Sequence, residues 1–147
     1  MKNTLVICKG CGAKNRVPAD KLQQKPICGR CGESLAGAPV TGMVIEVTDS
    51  NFSQVVEQSP LPVLVDFYSP TCGPCQMVAP LIENVAENFA GKAVVGKLNT
   101  SVHGATPARF QIRGVPTLIY FKNGQLADQM VGAGSQADIE MRLRNIL

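Results

Sequence analysis

All six cysteines of this chain fall into three Cys-x-x-Cys pairs, and the pairs are of two kinds. Cys8/Cys11 and Cys28/Cys31 are each followed by a glycine, Gly12 and Gly32, with sixteen residues between the pairs. Cys72-Gly73-Pro74-Cys75 stands apart, after an apolar run and before a helical pattern. The first two pairs together have the spacing of a four-thiolate zinc site. The third lies where a strand would hand over to a helix, the setting of a low-pKa, redox-active cysteine. The fold must therefore hold one structural and one reactive cysteine chemistry.

A length of 147 residues fits one ordinary domain plus a small module. Residues 1–40 carry seven Lys/Arg against Asp20 and Glu33, a balance of +5, whereas residues 41–147 carry seven against nine Asp/Glu, a balance of −2. A basic module thus precedes a mildly acidic domain. Lys9, Lys14, Arg16, Lys21, Lys25 and Arg30 raise nucleic acid as a partner, but no aromatic residue lies among them to stack on bases. They suit solvation of the module and offset the negative charge of a zinc tetrathiolate; nucleic acid is not expected. The 45% hydrophobic and 17% charged content excludes a disordered chain.

Leu5-Val6-Ile7 is too short for a signal-peptide core, and no apolar run approaches the ~18 residues of a membrane helix. A cytoplasmic chain with no membrane partner is expected. There, metal binding and redox chemistry are better readings of the cysteines than a disulfide framework.

Residues 1–35 are expected to form the zinc-binding module, held by Cys8, Cys11, Cys28 and Cys31. A segment below about 40 residues usually needs a metal or disulfides to fold. The alternatives for these four are reduced thiols or two disulfides, and iron would fit the same cage. Glycines beside the sulfurs let the backbone turn around a metal and aim N–H groups at the ligands. Residues 36–42, rich in small residues, glycine and proline, read as a linker.

From residue 43 the pattern becomes α/β. Val44–Thr48 alternates as a short strand, after which Asp49 or Ser50 can cap a helix bearing Phe52, Val55 and Val56. Leu61–Tyr68 is nearly all apolar, as in a strand covered on both faces. Met77, Leu81, Ile82, Val85 and Phe89 are spaced helically after Gly73, with Pro80 expected to kink that helix. A strand over 93–98, a short helix near Pro107–Phe110, a hairpin turning at Asn123-Gly124 and a helix over 135–146 complete the order βαβαβαββα. Five phenylalanines, Phe52, Phe67, Phe89, Phe110 and Phe121, are assigned to the core, and His103 to the surface. The expected architecture is a mixed central sheet flanked by helices.

At the start of the long helix, Cys72 gains the free N–H groups and dipole that stabilise a thiolate. Pro74 has a fixed φ suited to a first helical turn. Cys72 is then the attacking nucleophile, and Cys75, one turn inside, the resolving thiol. Asp66 is the only charge within Leu61–Tyr68. A desolvated carboxyl there would have a raised pKa and could act as a base. Thr71, just before the pair, reads as a helix cap.

Val65-Asp-Phe-Tyr68, Cys72-Gly-Pro-Cys75, Pro80, Lys97-Leu-Asn99, Arg113-Gly-Val-Pro-Thr117, Phe121-Lys-Asn-Gly124 and Val131-Gly132 together resemble the thioredoxin family, in order and spacing, over residues 43–147. With the two cysteine knuckles, the whole chain is similar to the zinc-containing bacterial branch, the thioredoxin 2 type. The resemblance implies the thioredoxin fold and reduction of protein disulfides. It also implies a structural zinc ion, recharging by NADPH through thioredoxin reductase, and a monomer. By the same resemblance Asp66 is a buried proton acceptor for Cys75, Lys97 a lysine that interacts with it, and Pro116 a cis-proline opposite the disulfide. Thr71, Gly73, Pro74, Val115, Pro116 and Gly132 would meet the substrate.

Two departures stand out. Thr71 and Tyr68 occupy positions where the family has tryptophan, and the chain contains none. Thr100-Ser101 replaces an acidic residue after the third strand of the domain. The competing readings are a zinc-ribbon interaction protein on a redox-inert thioredoxin scaffold, and a disulfide isomerase or oxidase. The complete Cys-Gly-Pro-Cys with Asp66 disfavours the first, and Pro74 with the absent secretory signal the second.

Overall fold

The computed structural model describes residues 3–147; Met1 and Lys2 of the expected zinc module lie outside the described residues. The part from residue 43 onward is built on a five-stranded sheet in the order β4-β6-β5-β7-β8. Its strands are β4 (Val44–Glu46), β5 (Val63–Tyr68), β6 (Val94–Asn99), β7 (Thr117–Lys122) and β8 (Gln125–Val131). β4, β6 and β5 are mutually parallel, while β7 and β8 run antiparallel. The helices are α1 (Gly73–Asn88), α2 (Ala105–Arg109) and α3 (Gln136–Arg144).

Period-two alternation assigns the two faces of β5. Leu64 points toward α1 and α3 and packs with Val78, Ile82, Val85, Ile139 and Leu143. Val63, Val65 and Phe67 point the other way, into a cluster with Phe52, Val56, Leu98 and Phe121. Asp66 therefore shares the α1 face, where it is 4% exposed. Phe110 packs on the second cluster, with its ring 5.5 Å from Phe52 and 5.4 Å from Phe121. At the hairpin turn Asn123 and Gly124 both have positive φ, 54° and 78°, as a type I′ turn requires.

Two local expectations are overturned. The segment after β4 forms a π-helical turn, Ser53–Glu57, and Asp49 does not cap it. The turn is instead opened by Thr48 and Asn51, each of whose side chains accepts the other's backbone N–H. The Asp49 carboxylate accepts the N–H groups of Ala105 and Thr106, at 3.2 and 2.8 Å, and so caps α2, far along the chain. His103 is only half exposed, with Nδ1 3.5 Å from the Asp49 N–H.

The N-terminal part has a sheet of its own, in the order β2-β1-β3, from β1 (Asn3–Ile7), β2 (Lys14–Pro18) and β3 (Val40–Thr41). The segment expected as a linker thus supplies a paired strand: Val40 and Thr41 lie opposite Val6 and Leu5. Val6, Val17 and Leu35 build a small apolar cluster with Cys8 and Cys28. Among the described residues, no helix is long and apolar enough to cross a membrane.

Candidate redox site and four-cysteine cluster

Cys72 and Cys75 are joined as a disulfide, with their Cα atoms 5.2 Å apart. Cys72, in extended conformation, is the N-cap of α1, and its sulfur accepts the Cys75 N–H at 3.1 Å. The cap is therefore Cys72 and not Thr71. Pro74 falls in the first turn, where its missing N–H costs no intrahelical bond. Cys72 is half-exposed while Cys75 is 3% exposed, so the two sulfurs differ in access as the sequence implies. α1 continues through Pro80 to Asn88.

The loop before β7 lies beside the pair. The Val115–Pro116 peptide is cis, and the Val115 carbonyl oxygen lies 3.6 Å from Cys72 Sγ. Gly132 N–H donates to the Pro116 carbonyl at 2.8 Å, which brings the end of β8 alongside. A Cβ at Gly73, Gly114 or Gly132 would meet nothing within 4 Å, so the surface around the disulfide is open. Beside the pair, Thr71 Oγ1 and Ser101 Oγ each lie 3.3 Å from Ser69 Oγ. Ser69 was not singled out from sequence, since a hydroxyl residue in a loop carries no pattern, and Ser101 was noted only as a departure in charge.

Asp66 lies beneath this surface. It lines a cavity of about 70 Å³ together with Val44, Tyr68, Cys75, Ala79, Ile82, Glu83 and Lys97. Burial pushes its carboxyl up to about 7, against the opposing pull of Lys97. Asp66 Oδ1 has no hydrogen-bond partner among the described residues. Lys97 stands opposite Asp66 in the β5–β6 register, yet its ammonium pairs with Glu46 at 3.5 Å and lies 5.7 Å from the Tyr68 ring centre. Glu46 also escaped sequence reasoning, because only the strand register reveals it.

The other four cysteines converge. Their sulfurs all lie within 4.8 Å of one another, with Cys8–Cys31 and Cys11–Cys28 each at 3.6 Å. A tetrahedron with metal–sulfur bonds of about 2.3 Å has edges of roughly 3.8 Å, so the cluster fits a single metal ion. Backbone N–H groups of Cys31 and Arg30 hold the Cys28 thiol down to about 6. Gly12 and Gly32 follow each knuckle with φ of 75° and 76°, a conformation that favours glycine.

The ribbon that carries the cluster is fastened to the sheet domain away from the dithiol. Cys72 sits at the C-terminal ends of the parallel strands, where α1 begins. The ribbon is fastened where α1 has ended: Gly91 N–H donates to Thr41 Oγ1 at 2.7 Å, and Gly42 lies against Ala90. A 16-residue helix is about 24 Å long. The fastening therefore lies about one helix length from Cys72.

Comparison with known proteins agrees with both halves. The family model described as Thioredoxin matches residues 43–145, and one described as Thioredoxin 2, N-terminal matches residues 7–33. Thioredoxin of Haemophilus influenzae is 46% identical over 90 residues, 61% of this chain and 84% of that protein. Thioredoxin 1 of Nostoc sp. is 44% identical over 102 residues, 69% of this chain and 95% of the relative. Thioredoxin C-3 of Corynebacterium nephridii is 37% identical over 129 residues, covering 88% of this chain and 86% of its own length. A disulfide-forming Cys-Gly-Pro-Cys at a helix start, a mixed sheet and a four-cysteine ribbon thus meet in one chain, which belongs to the thioredoxin family of protein-disulfide oxidoreductases.

Proposed function

We propose that the protein reduces disulfides of cytoplasmic proteins, taking electrons from NADPH through thioredoxin reductase. The observation that carries this reading is the unequal pair at the start of α1. Cys72 is reachable and capped by the Cys75 N–H, whereas Cys75 is buried above Asp66. In the reduced protein the Cys72 thiolate attacks one sulfur of a substrate disulfide. The substrate S–S bond breaks, one substrate thiolate leaves, and a mixed disulfide remains. Asp66 takes the Cys75 proton, and the Cys75 thiolate attacks Cys72 Sγ. The second substrate thiolate leaves, and two electrons have passed from the protein to the substrate. Thioredoxin reductase returns two electrons from NADPH to the Cys72–Cys75 disulfide.

Thr71, Gly73, Pro74, Val115, Pro116 and Gly132 are proposed to line the substrate contact, supported by the open space around the glycines. Cys8, Cys11, Cys28 and Cys31 would hold one zinc ion, with all four positions filled by sulfur and none left for a reactant. Its contribution is structural.

NADPH-coupled disulfide reduction with thioredoxin reductase tests the reading. Cys72→Ser is expected to abolish turnover, and Cys75→Ser to accumulate a mixed disulfide on Cys72, visible by mass spectrometry. An adduct on Cys75 in the Cys72→Ser protein would reverse the roles. Failure of the wild type to accept electrons would remove the reductase from the scheme.

A further inference from the structure

Lys97 on β6 stands between two carboxylates in the sheet register, Glu46 on β4 and Asp66 on β5. Residues directly opposed on neighbouring strands point to the same face, so all three side chains lie on the α1 side. The Lys97 ammonium is 3.5 Å from Glu46 Oε1. Asp66 Oδ1, meanwhile, is buried with no hydrogen-bond partner among the described residues. The cation opposite Asp66 in the register is thus paired with a carboxylate on the edge strand.

We propose that Glu46 is a positioning residue for the redox reaction: it holds the Lys97 ammonium at the edge of the sheet, keeps that charge off Asp66, and so leaves Asp66 able to accept the proton of Cys75. The proposal rests on the reading of Asp66 as the base for Cys75. The titratable and charged groups that face Asp66 are Lys97 from β6, Glu46 beyond it on β4, Tyr68 on its own strand, and Cys75 and Glu83 from α1. From β7 the residue opposite is Leu118, which carries no charge.

The sign follows from electrostatics. Neutralising Glu46 removes a negative charge near Asp66 and releases Lys97 toward it. Both changes favour the ionised carboxylate and lower the Asp66 pKa. The Lys97 and Glu46 side chains are 43% and 62% exposed, so the effect is that of a solvated ion pair. Its strength converts to a shift of about 0.2–0.7 pH unit.

The experiment follows the Asp66 carboxyl by carbon NMR across pH in the oxidised wild type, Glu46→Gln, Lys97→Met and the double variant. The expected result is a lower Asp66 midpoint in Glu46→Gln and a smaller Glu46→Gln effect once Lys97 is methionine. The pH profile of mixed-disulfide resolution should move by the same amount. An unchanged midpoint in Glu46→Gln, or an equal shift with and without Lys97, would overturn the proposal. The NMR readout does not depend on Asp66 being the base. A normal resolution rate in Asp66→Asn would overturn that assignment and with it the role of Glu46 in the reaction, whereas a fixed midpoint in Glu46→Gln would overturn this proposal alone.

Discussion

Thr41 and Gly91 are tied by a buried 2.7 Å hydrogen bond in which the Gly91 N–H donates to the Thr41 hydroxyl oxygen. The same hydroxyl donates to the Leu5 carbonyl at 2.7 Å. One side chain therefore closes the β1–β3 edge of the ribbon and fastens the ribbon to the redox domain. The fastening lies beyond the C-terminal end of α1, whereas Cys72 caps its N-terminal end. The link between the two cysteine modules is thus made about a helix length from the reactive pair.

Thr41→Val is expected to destabilise the protein without slowing it. Valine keeps the shape but leaves the Gly91 N–H buried without its acceptor, a loss of about 1–3 kcal/mol. Thr41→Ser retains the hydroxyl and should cost less. Urea midpoints at constant m-value measure the difference, and NADPH-coupled turnover should stay near wild type. A Thr41→Val protein as stable as wild type would show that water or a neighbour replaces the hydroxyl.

Asp66 should make stability fall as pH rises. Its folded pKa of about 7 lies above the unfolded value of 3.8, so the native state holds the proton more tightly than the unfolded chain does. The proton-linked stabilisation is fully present below about pH 4 and is lost progressively between there and pH 7. A shift of this size amounts to at most about 4 kcal/mol. Asp66→Asn removes the titration, so the variant should be the more stable protein near neutral pH and the difference should shrink toward pH 4. Chemical denaturation at three pH values checks this. Resolution of the mixed disulfide by Cys75 should slow in the same variant. A pH-independent gap between the two proteins would mean that Asp66 acts through packing and not through its proton.

Most of the redox domain was legible in the sequence because its signals are local. Apolar runs gave the strands, Cys72-Gly-Pro-Cys75 marked the start of α1, and Asn123-Gly124 marked a hairpin that needs two positive φ values. What escaped was contact between distant residues. Asp49 has the composition of a cap for the segment that follows it, and local reasoning assigned it there. The fold instead brings the N-terminus of α2 to it, and two amides of that helix outcompete the local turn. Glu46 was invisible for the same reason, since only parallel pairing with β6 puts it beside Lys97. In the ribbon, the cysteine spacing gave the cluster. Val40–Thr41 read as linker because a two-residue strand has no periodicity to detect.

Oxidation should dismantle the ribbon and leave the redox domain working. Apart from the sulfur cluster, the ribbon rests on a small apolar group built from Val6, Val17 and Leu35, too little to fold such a segment unaided. The protein purified under reducing conditions should carry one zinc ion per chain. A mild oxidant that joins Cys8, Cys11, Cys28 and Cys31 in disulfides should release that ion and unfold residues 1–35. The domain from Val44 onward has both of its core clusters within its own residues. A chain beginning at Gly42 should therefore fold, and water can take the Gly91 N–H that Thr41 no longer covers. Its turnover should remain close to that of the full chain, because the fastening lies at the far end of α1 from Cys72. Metal content, zinc release to a chromogenic chelator and reductase-coupled activity can be read on the same samples. Metal-free full-length protein under reducing conditions would contradict the zinc assignment, and a shortened chain that fails to fold would contradict the independence of the domain.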